Sequence, residues 1–326
     1  MTSLKQLHHY LAELSQFHPH YGNRLATHLP MVLTALYRLG ANDSKLDATY
    51  NSGIEQLELA DYSSNLEEIT DIRHHLGKSQ MYESYLAYFN TEIKKHGAKT
   101  VLGAALPILM PGVAASAFHA LIRLAYAIGI DSESEMAIAL AYWSAEYQAF
   151  GLRACEQDVS MPALLSELAP IGVNHNFGPG IIVDRMNEIG TLLTKHNLPC
   201  IPAKVEFNEL RRLCLNAFAA QNDFTLLHTV TGCHALSVIM PFIYDKPAAL
   251  CVFWQAILVA YLSTGLDFKL CDTRLGVAEC QFEPILAKAL ESDDSHVIKL
   301  VYTCWREFVH HQEPLYYVVA KRAVSQ

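Results

Sequence analysis

The run Asp293-Asp294-Ser295-His296-Val297-Ile298-Lys299-Leu300-Val301-Tyr302 sets an imidazole and an amine three residues apart. Two acidic residues and a serine ahead of an apolar-periodic segment read as a helix N-terminus, with Asp294 or Ser295 as its cap. On such a helix His296 and Lys299 share one face. Val297, Ile298, Leu300 and Val301 surround the lysine with apolar side chains, so it need not point into water.

The chain holds sixteen histidines, and they fall into two classes. His8, His9, His74, His75, His310 and His311 are adjacent pairs on polar stretches, and His18, His20, His96, His175 and His196 lie in polar or loop contexts; all of these read as solvated. His28, His119, His228, His234 and His296 sit in apolar surroundings instead. Each alone reads as a hydrogen-bonded core histidine. Together they leave many buried ring nitrogens in need of partners. A shared metal ion between helices satisfies several at once. Imidazole suits Zn, Fe, Cu and Ni.

Carboxylate ligands are scarce. No Glu-x-x-His of the di-iron type involves the apolar histidines. His311-Gln312-Glu313 is the one His-x-Glu element, and no later histidine follows it. There is no His-Glu-x-x-His zinc motif, no P-loop and no Gly-x-Ser-x-Gly elbow. Gly178-Pro179-Gly180 is an isolated loop, so neither a flavin nor an NAD(P) motif is present. A haem with one axial histidine has no signature and stays open.

The elements that must position these residues are helices. Apolar residues repeat with helical period along almost the whole chain, and strand signals are nearly absent. The pattern predicts helices over 4–14, 30–39, 80–95, 111–128, 132–150, 162–168, 181–196, 206–220, 226–240, 248–262, 283–290, 295–310 and 314–323. Residues 41–66 read as polar with short helical turns at most, and 263–280 as the least regular part. Ser132-Glu133-Ser134-Glu135 is a capping box. No repeat of constant period and no Gly/Ser-rich or Pro-rich linker stands out. The expectation is an all-α protein, one domain over residues 1–326, with a metal site between helices.

Composition bounds the partners. A formal charge of −9 over 326 residues, with no Lys/Arg block longer than two, argues against nucleic acid. Apolar residues make up 51% and charged residues 17%, enough for a large core. The eight cysteines include no CxxC pair and read as small buried hydrophobes in a reducing compartment. The most apolar windows, 100–121 and 248–262, are broken by prolines or too short for a membrane span. The expected location is cytoplasmic, without membrane or nucleic-acid partners; the oligomeric state is open.

Four segments carry a resemblance. His28-Leu29-Pro30-Met31 with Ala35-Leu36-Tyr37-Arg38-Leu39-Gly40, Phe118-His119-Ala120-Leu121-Ile122-Arg123-Leu124-Ala125-Tyr126, Leu227-His228-Thr229-Val230-Thr231 and His296-Val297-Ile298-Lys299 occur in this order. Their order and spread, from about residue 20 to 312, resemble the questin oxidase-like family of fungal and bacterial proteins. That resemblance implies a mononuclear non-haem Fe(II)- and O2-dependent oxygenase. Its substrate would be an aromatic or quinone-like small molecule, oxidised or cleaved at a ring in a Baeyer–Villiger-like way. It implies His28, His119, His228 and His296 as metal ligands, with Lys299 beside the fourth. His234 departs from the family pattern and reads as a core or supporting residue. Arg123, one turn after His119, reads either as a phenolate-holding residue or as a salt bridge.

Lys299 then has a physical role to fill. Neutral imidazoles leave the iron charge uncompensated. A buried lysine near a metal loses its proton readily. The free amine can add CO2 to give an anionic carbamate ligand. The alternatives are a zinc or other metal-dependent hydrolase on the same ligands, or a non-catalytic small-molecule binding protein.

Overall fold

The computed structural model describes residues 4–60, 66–271 and 280–325, so 272–279 of the irregular segment lie outside the described residues. Fifteen α-helices follow in order: α1 (Leu4–Leu14), α2 (Leu29–Leu39), α3 (Asp43–Ile54), α4 (Tyr82–His96), α5 (Ala98–Leu109), α6 (His119–Gly129), α7 (Glu133–Ala145), α8 (Met161–Val173), α9 (Ile182–Lys195), α10 (Phe207–Gln221), α11 (Phe224–Ile239), α12 (Lys246–Leu262), α13 (Glu283–Glu291), α14 (Ser295–His311) and α15 (Pro314–Ala323). Two short strand pairs, His20–Tyr21 with Leu25–Ala26 and Arg153–Ala154 with Pro199–Ile201, and short 3-10 turns complete the described structure. The all-α expectation holds, and one continuous apolar core joins the helices.

Local signals explain most boundaries. Pro30 in the first turn and Gly40 with φ 90° bracket α2. Asp223 accepts from the amides of Thr225 and Leu226 at the start of α11. Asp294 does the same for His296 and Val297 at the start of α14. Two predictions needed correction. Residues 43–54 form a full helix, because Asn42 caps it through the amide of Lys45. The helix predicted over 111–128 is only α6 (His119–Gly129), preceded by a turn, and α5 (Ala98–Leu109) lies ahead of the predicted span. Ser116, Ala117 and Phe118 all have positive φ there (48°, 52° and 69°), and α6 starts only at His119. Such backbone is costly for residues with a Cβ and has no marker in apolar periodicity.

Four helices form the centre. α2 packs on α6 and α14, and α11 packs on the same two. His28 precedes α2, His119 begins α6, His296 lies in the first turn of α14 and His228 opens the second turn of α11. At the other end Arg38 of α2 donates to the Gly129 carbonyl of α6. Tyr126 of α6 and Tyr302 of α14 have ring centroids 5.5 Å apart. The four helices therefore run in one direction, with their N-terminal ends together. Residues 224–242 are long and apolar enough to cross a membrane by length and composition. Here most of that stretch is buried in the core, as a central bundle helix must be.

Candidate metal centre

The convergence of these N-termini gathers the predicted residues. The His28 and His119 rings stack with centroids 4.9 Å apart, and their Nε2 atoms are 2.8 Å apart. His296 meets His28 edge-on at 4.5 Å, and His228 lies 4.7 Å from His119 and 5.9 Å from His296. Lys299 is 3% exposed and makes no hydrogen bond or ion pair among the described residues. Its charge acts on all four imidazoles.

The outer nitrogens are fixed by the local fold. His119 Nδ1 is 2.6 Å from the Ser116 carbonyl, which the left-handed turn places beneath it. His228 Nδ1 is 2.8 Å from the carbonyl of Phe224, four residues back on its own helix. A carbonyl only accepts, so both Nδ1 atoms carry the proton and both Nε2 atoms present a lone pair. His28 Nδ1 contacts Ser295 Oγ at 3.0 Å, and His296 Nδ1 faces Asp294 Oδ1 at 3.6 Å. The Nε2 atoms of His228 and His296 are buried without a hydrogen-bond partner. Outer-side bonds that set the tautomer and aim the inner nitrogen are the usual support of metal-bound imidazoles.

Among the described residues, no group of three or more His, Cys, Asp or Glu side chains is placed so that it could hold a metal ion. His28 and His119 Nε2 are 2.8 Å apart. That distance suits an N–H···N hydrogen bond, and ligand nitrogens at ~2.0–2.1 Å from one ion stand only slightly farther apart, ~3 Å. The donors fit an ion in kind and burial, and His119 and His228 also in tautomer.

Electrostatics favours neutral groups and an added anion. Burial, followed by the neighbouring cationic groups, pushes His28 and His119 well below the usual imidazole range. The same causes take His228 to about 3 and His296 to about 4. Burial lowers Lys299 to about 7, with Asp294 opposing it weakly. The positive ends of four helix dipoles add to this disfavour of cations. The pH dependence follows. The imidazoles are neutral in the native state, whereas in the unfolded chain they take up protons below about 6.5. Their contribution to stability is present above that pH and is lost as pH falls toward 4 and 3. Metal-free protein should show a melting temperature that drops steeply from pH 6.5 to 4. A flat profile over that interval would show the cluster to be solvated.

The family model decides the relationship. It is that of the questin oxidase-like proteins, and it matches residues 25–174 and 202–304. The chain belongs to the questin oxidase-like family. No curated protein matches it. All four histidines and Lys299 of this questin oxidase-like protein lie inside the matched segments.

Other predicted residues land elsewhere. Arg123 does not face the cluster as a free cation. Its Nε and Nη2 donate to Glu135 of α7 at 2.8 and 3.0 Å, and both side chains are 3% exposed. Glu135 therefore spends its carboxylate on Arg123, while its own amide is held by Ser132 in only half of the predicted capping box. His234 bonds Glu307 rather than joining the cluster. His20 is buried, not solvated. Burial takes it down to about 4, and it contacts Tyr142 Oη at 3.0 Å and Ser116 Oγ at 3.3 Å. Sequence reading missed Ser116, Phe224 and Glu307. Only Phe224 carried a signal, four residues before His228, where a helical carbonyl meets a histidine Nδ1.

Two cavities flank the cluster. One, of about 550 Å³, lies between α2, α6, α11 and α14. Ile122, Thr231 and Thr303 line it, each about one helical turn beyond His119, His228 and Lys299. The other, of about 480 Å³, is an open cleft that includes His28, Ser295 and Gly53. Phe224 is 53% exposed and covers His228 and His296 edge-on, with centroids 5.0 and 4.6 Å away.

Proposed function

We propose that this protein is an Fe(II)- and O2-dependent oxygenase acting on an aromatic or quinone-like ring, with a Baeyer–Villiger-like outcome. The observation that carries the reading is the set of four imidazoles gathered from four helices, with the outer nitrogens of His28, His119 and His228 bonded and the inner nitrogens of His228 and His296 buried without a partner. His28, His119, His228 and His296 would hold the metal. Iron supplies the redox chemistry that dioxygen needs to react with a closed-shell ring. The carbonyls of Ser116 and Phe224 keep their imidazoles in the ligating tautomer. Phe224 shields the His228 and His296 side from water. The bundle cavity, within the usual ~300–1,000 Å³ of small-molecule sites, would seat a flat substrate beneath the cluster.

Lys299 completes the set. Its buried amine is partly neutral near pH 7. Addition of CO2 forms an N–C bond and releases one proton, leaving a carbamate. That anion suits the positive field of four helix ends and the charge of a metal ion.

Metal analysis of protein purified without chelator, with oxygen uptake on hydroxylated quinones with and without an electron donor, tests the function. The expected result is about one iron per chain and substrate-dependent uptake. Stoichiometric zinc with no uptake by iron-loaded protein would sink the oxygenase in favour of a hydrolase. No bound metal, and a melting temperature that chelator does not move, would leave a binding protein.

A further inference from the structure

The bundle cavity holds a second pair of groups that the metal cluster does not use. His234 of α11 lines it. Its Nδ1 is 2.8 Å from Glu307 Oε1 of α14. Glu307 is 2% exposed, and Tyr316 of α15 donates to its other oxygen at 3.3 Å. Arg211 of α10 donates to that tyrosine oxygen at 2.9 Å, and His311 Nε2 stands 3.5 Å from Glu307 Oε2. Burial alone would raise the Glu307 pKa. The His234 hydrogen bond and the charges of His234, His311 and Arg211 outweigh it and hold the group below its ordinary value. Glu307 is thus a carboxylate and can only accept, so the Nδ1 of His234 carries the proton of their 2.8 Å hydrogen bond. Nε2 is then the ring nitrogen left for a ligand.

A buried imidazole oriented by a carboxylate is the arrangement of a general base. The groups around it suit the product of deprotonation. Arg306 of α14 and Arg38 of α2 line the same cavity, with Tyr302, Tyr126 and His310. Among the described residues, no carboxylate lines the cavity.

We propose that this cavity binds a hydroxylated planar aromatic through His234, which takes the proton of its phenolic O–H. The O–H bond breaks, an N–H bond forms at Nε2, and the oxygen keeps the electron pair as a phenolate beside Arg38 and Arg306. Glu307 holds the resulting imidazolium. The class of ligand rests on the oxygenase reading; the dyad itself does not. A phenolate ring is more electron-rich than the phenol, which is what an oxidation at the cluster, nearly two turns (~9 Å) back along α11, would use.

The test compares a hydroxyanthraquinone with its O-methyl ether on the full-length protein, chelated and iron-loaded. The hydroxy compound should bind about tenfold or more tightly than the ether. Its absorption should shift to that of the phenolate at a pH below its solution pKa. Folded His234→Phe should lose both the preference and the shift, while Glu307→Gln should lose the shift first. Equal binding of the two probes to wild type, binding of neither, or a preference retained in folded His234→Phe would each overturn the proposal. The probe comparison uses unmutated protein, so it decides even if the variants do not fold. Preference without oxygen uptake would remove the oxygenase and leave the dyad; uptake without preference would do the reverse.

Discussion

Lys299→Met is expected to make the metal-free protein more stable and the functional protein inactive. Lys299 has its pKa lowered from 10.5 to about 7 by burial. The unfolded chain binds a proton there between those values and the native chain does not. Native stability is therefore highest above 10.5 and falls as pH drops toward 7. At ~1.36 kcal/mol per unit, the penalty at pH 7.5 is on the order of 4 kcal/mol. Methionine keeps most of the volume and carries no charge, so it removes that penalty. In CO2-free buffer with chelator, denaturant unfolding at pH 7.5 should show the variant more stable by about that amount. The difference should vanish above pH 10.5, where both side chains are neutral. Iron retention and oxygen uptake should collapse in Lys299→Met and in Lys299→Ala. Lys299→Arg should not rescue them, because a guanidinium stays charged and cannot form the carbamate. A fully iron-loaded, active Lys299→Ala protein would refute the ligand role. A variant no more stable than wild type would refute the buried amine.

Glu135→Ala should produce the largest loss of stability. Removing the carboxylate strands the Arg123 guanidinium inside the core, where its Nη1 already lacks a partner. Breaking one side of a buried pair costs about 3–5 kcal/mol. The damage reaches the site, because Arg123 lies one turn after His119 on α6 and the pair ties α6 to α7. Lower iron content is therefore expected at temperatures where the fold survives. The double variant Arg123→Met with Glu135→Leu should recover most of the loss, since two packed apolar side chains need no charge compensation. If that variant is stable and also keeps oxygen uptake, the ion pair only holds helices together. If it is stable but loses substrate binding, the phenolate-holding alternative for Arg123 returns.

Much of the architecture was legible along the chain because its causes are local. Apolar periodicity, the caps Asp223 and Asp294, Pro30 with Gly40, and the 295–311 helix all depend on residues within a few positions of one another. The same holds for the candidate residues, whose apolar surroundings marked them out from the solvated histidines. What remained illegible depended on distant partners. His28 and Ser295 touch across 267 residues, and Arg123 chose Glu135 over the cluster. His234 and Glu307 meet across 73 residues. The left-handed turn at 116–118 exists because packing of α6 against its neighbours outweighs its local strain.

The sequence by itself determined that the protein is helical and that His28, His119, His228, His234 and His296 sit in apolar surroundings, though not that His20 is buried, because apolar pattern and capping are written in neighbouring residues. Only the tertiary structure decided that α2, α6, α11 and α14 begin at one place, so that four imidazoles and Lys299 share a single buried point. Helix direction in a bundle is set by loops and by contacts between faces, and those are properties of the packed chain.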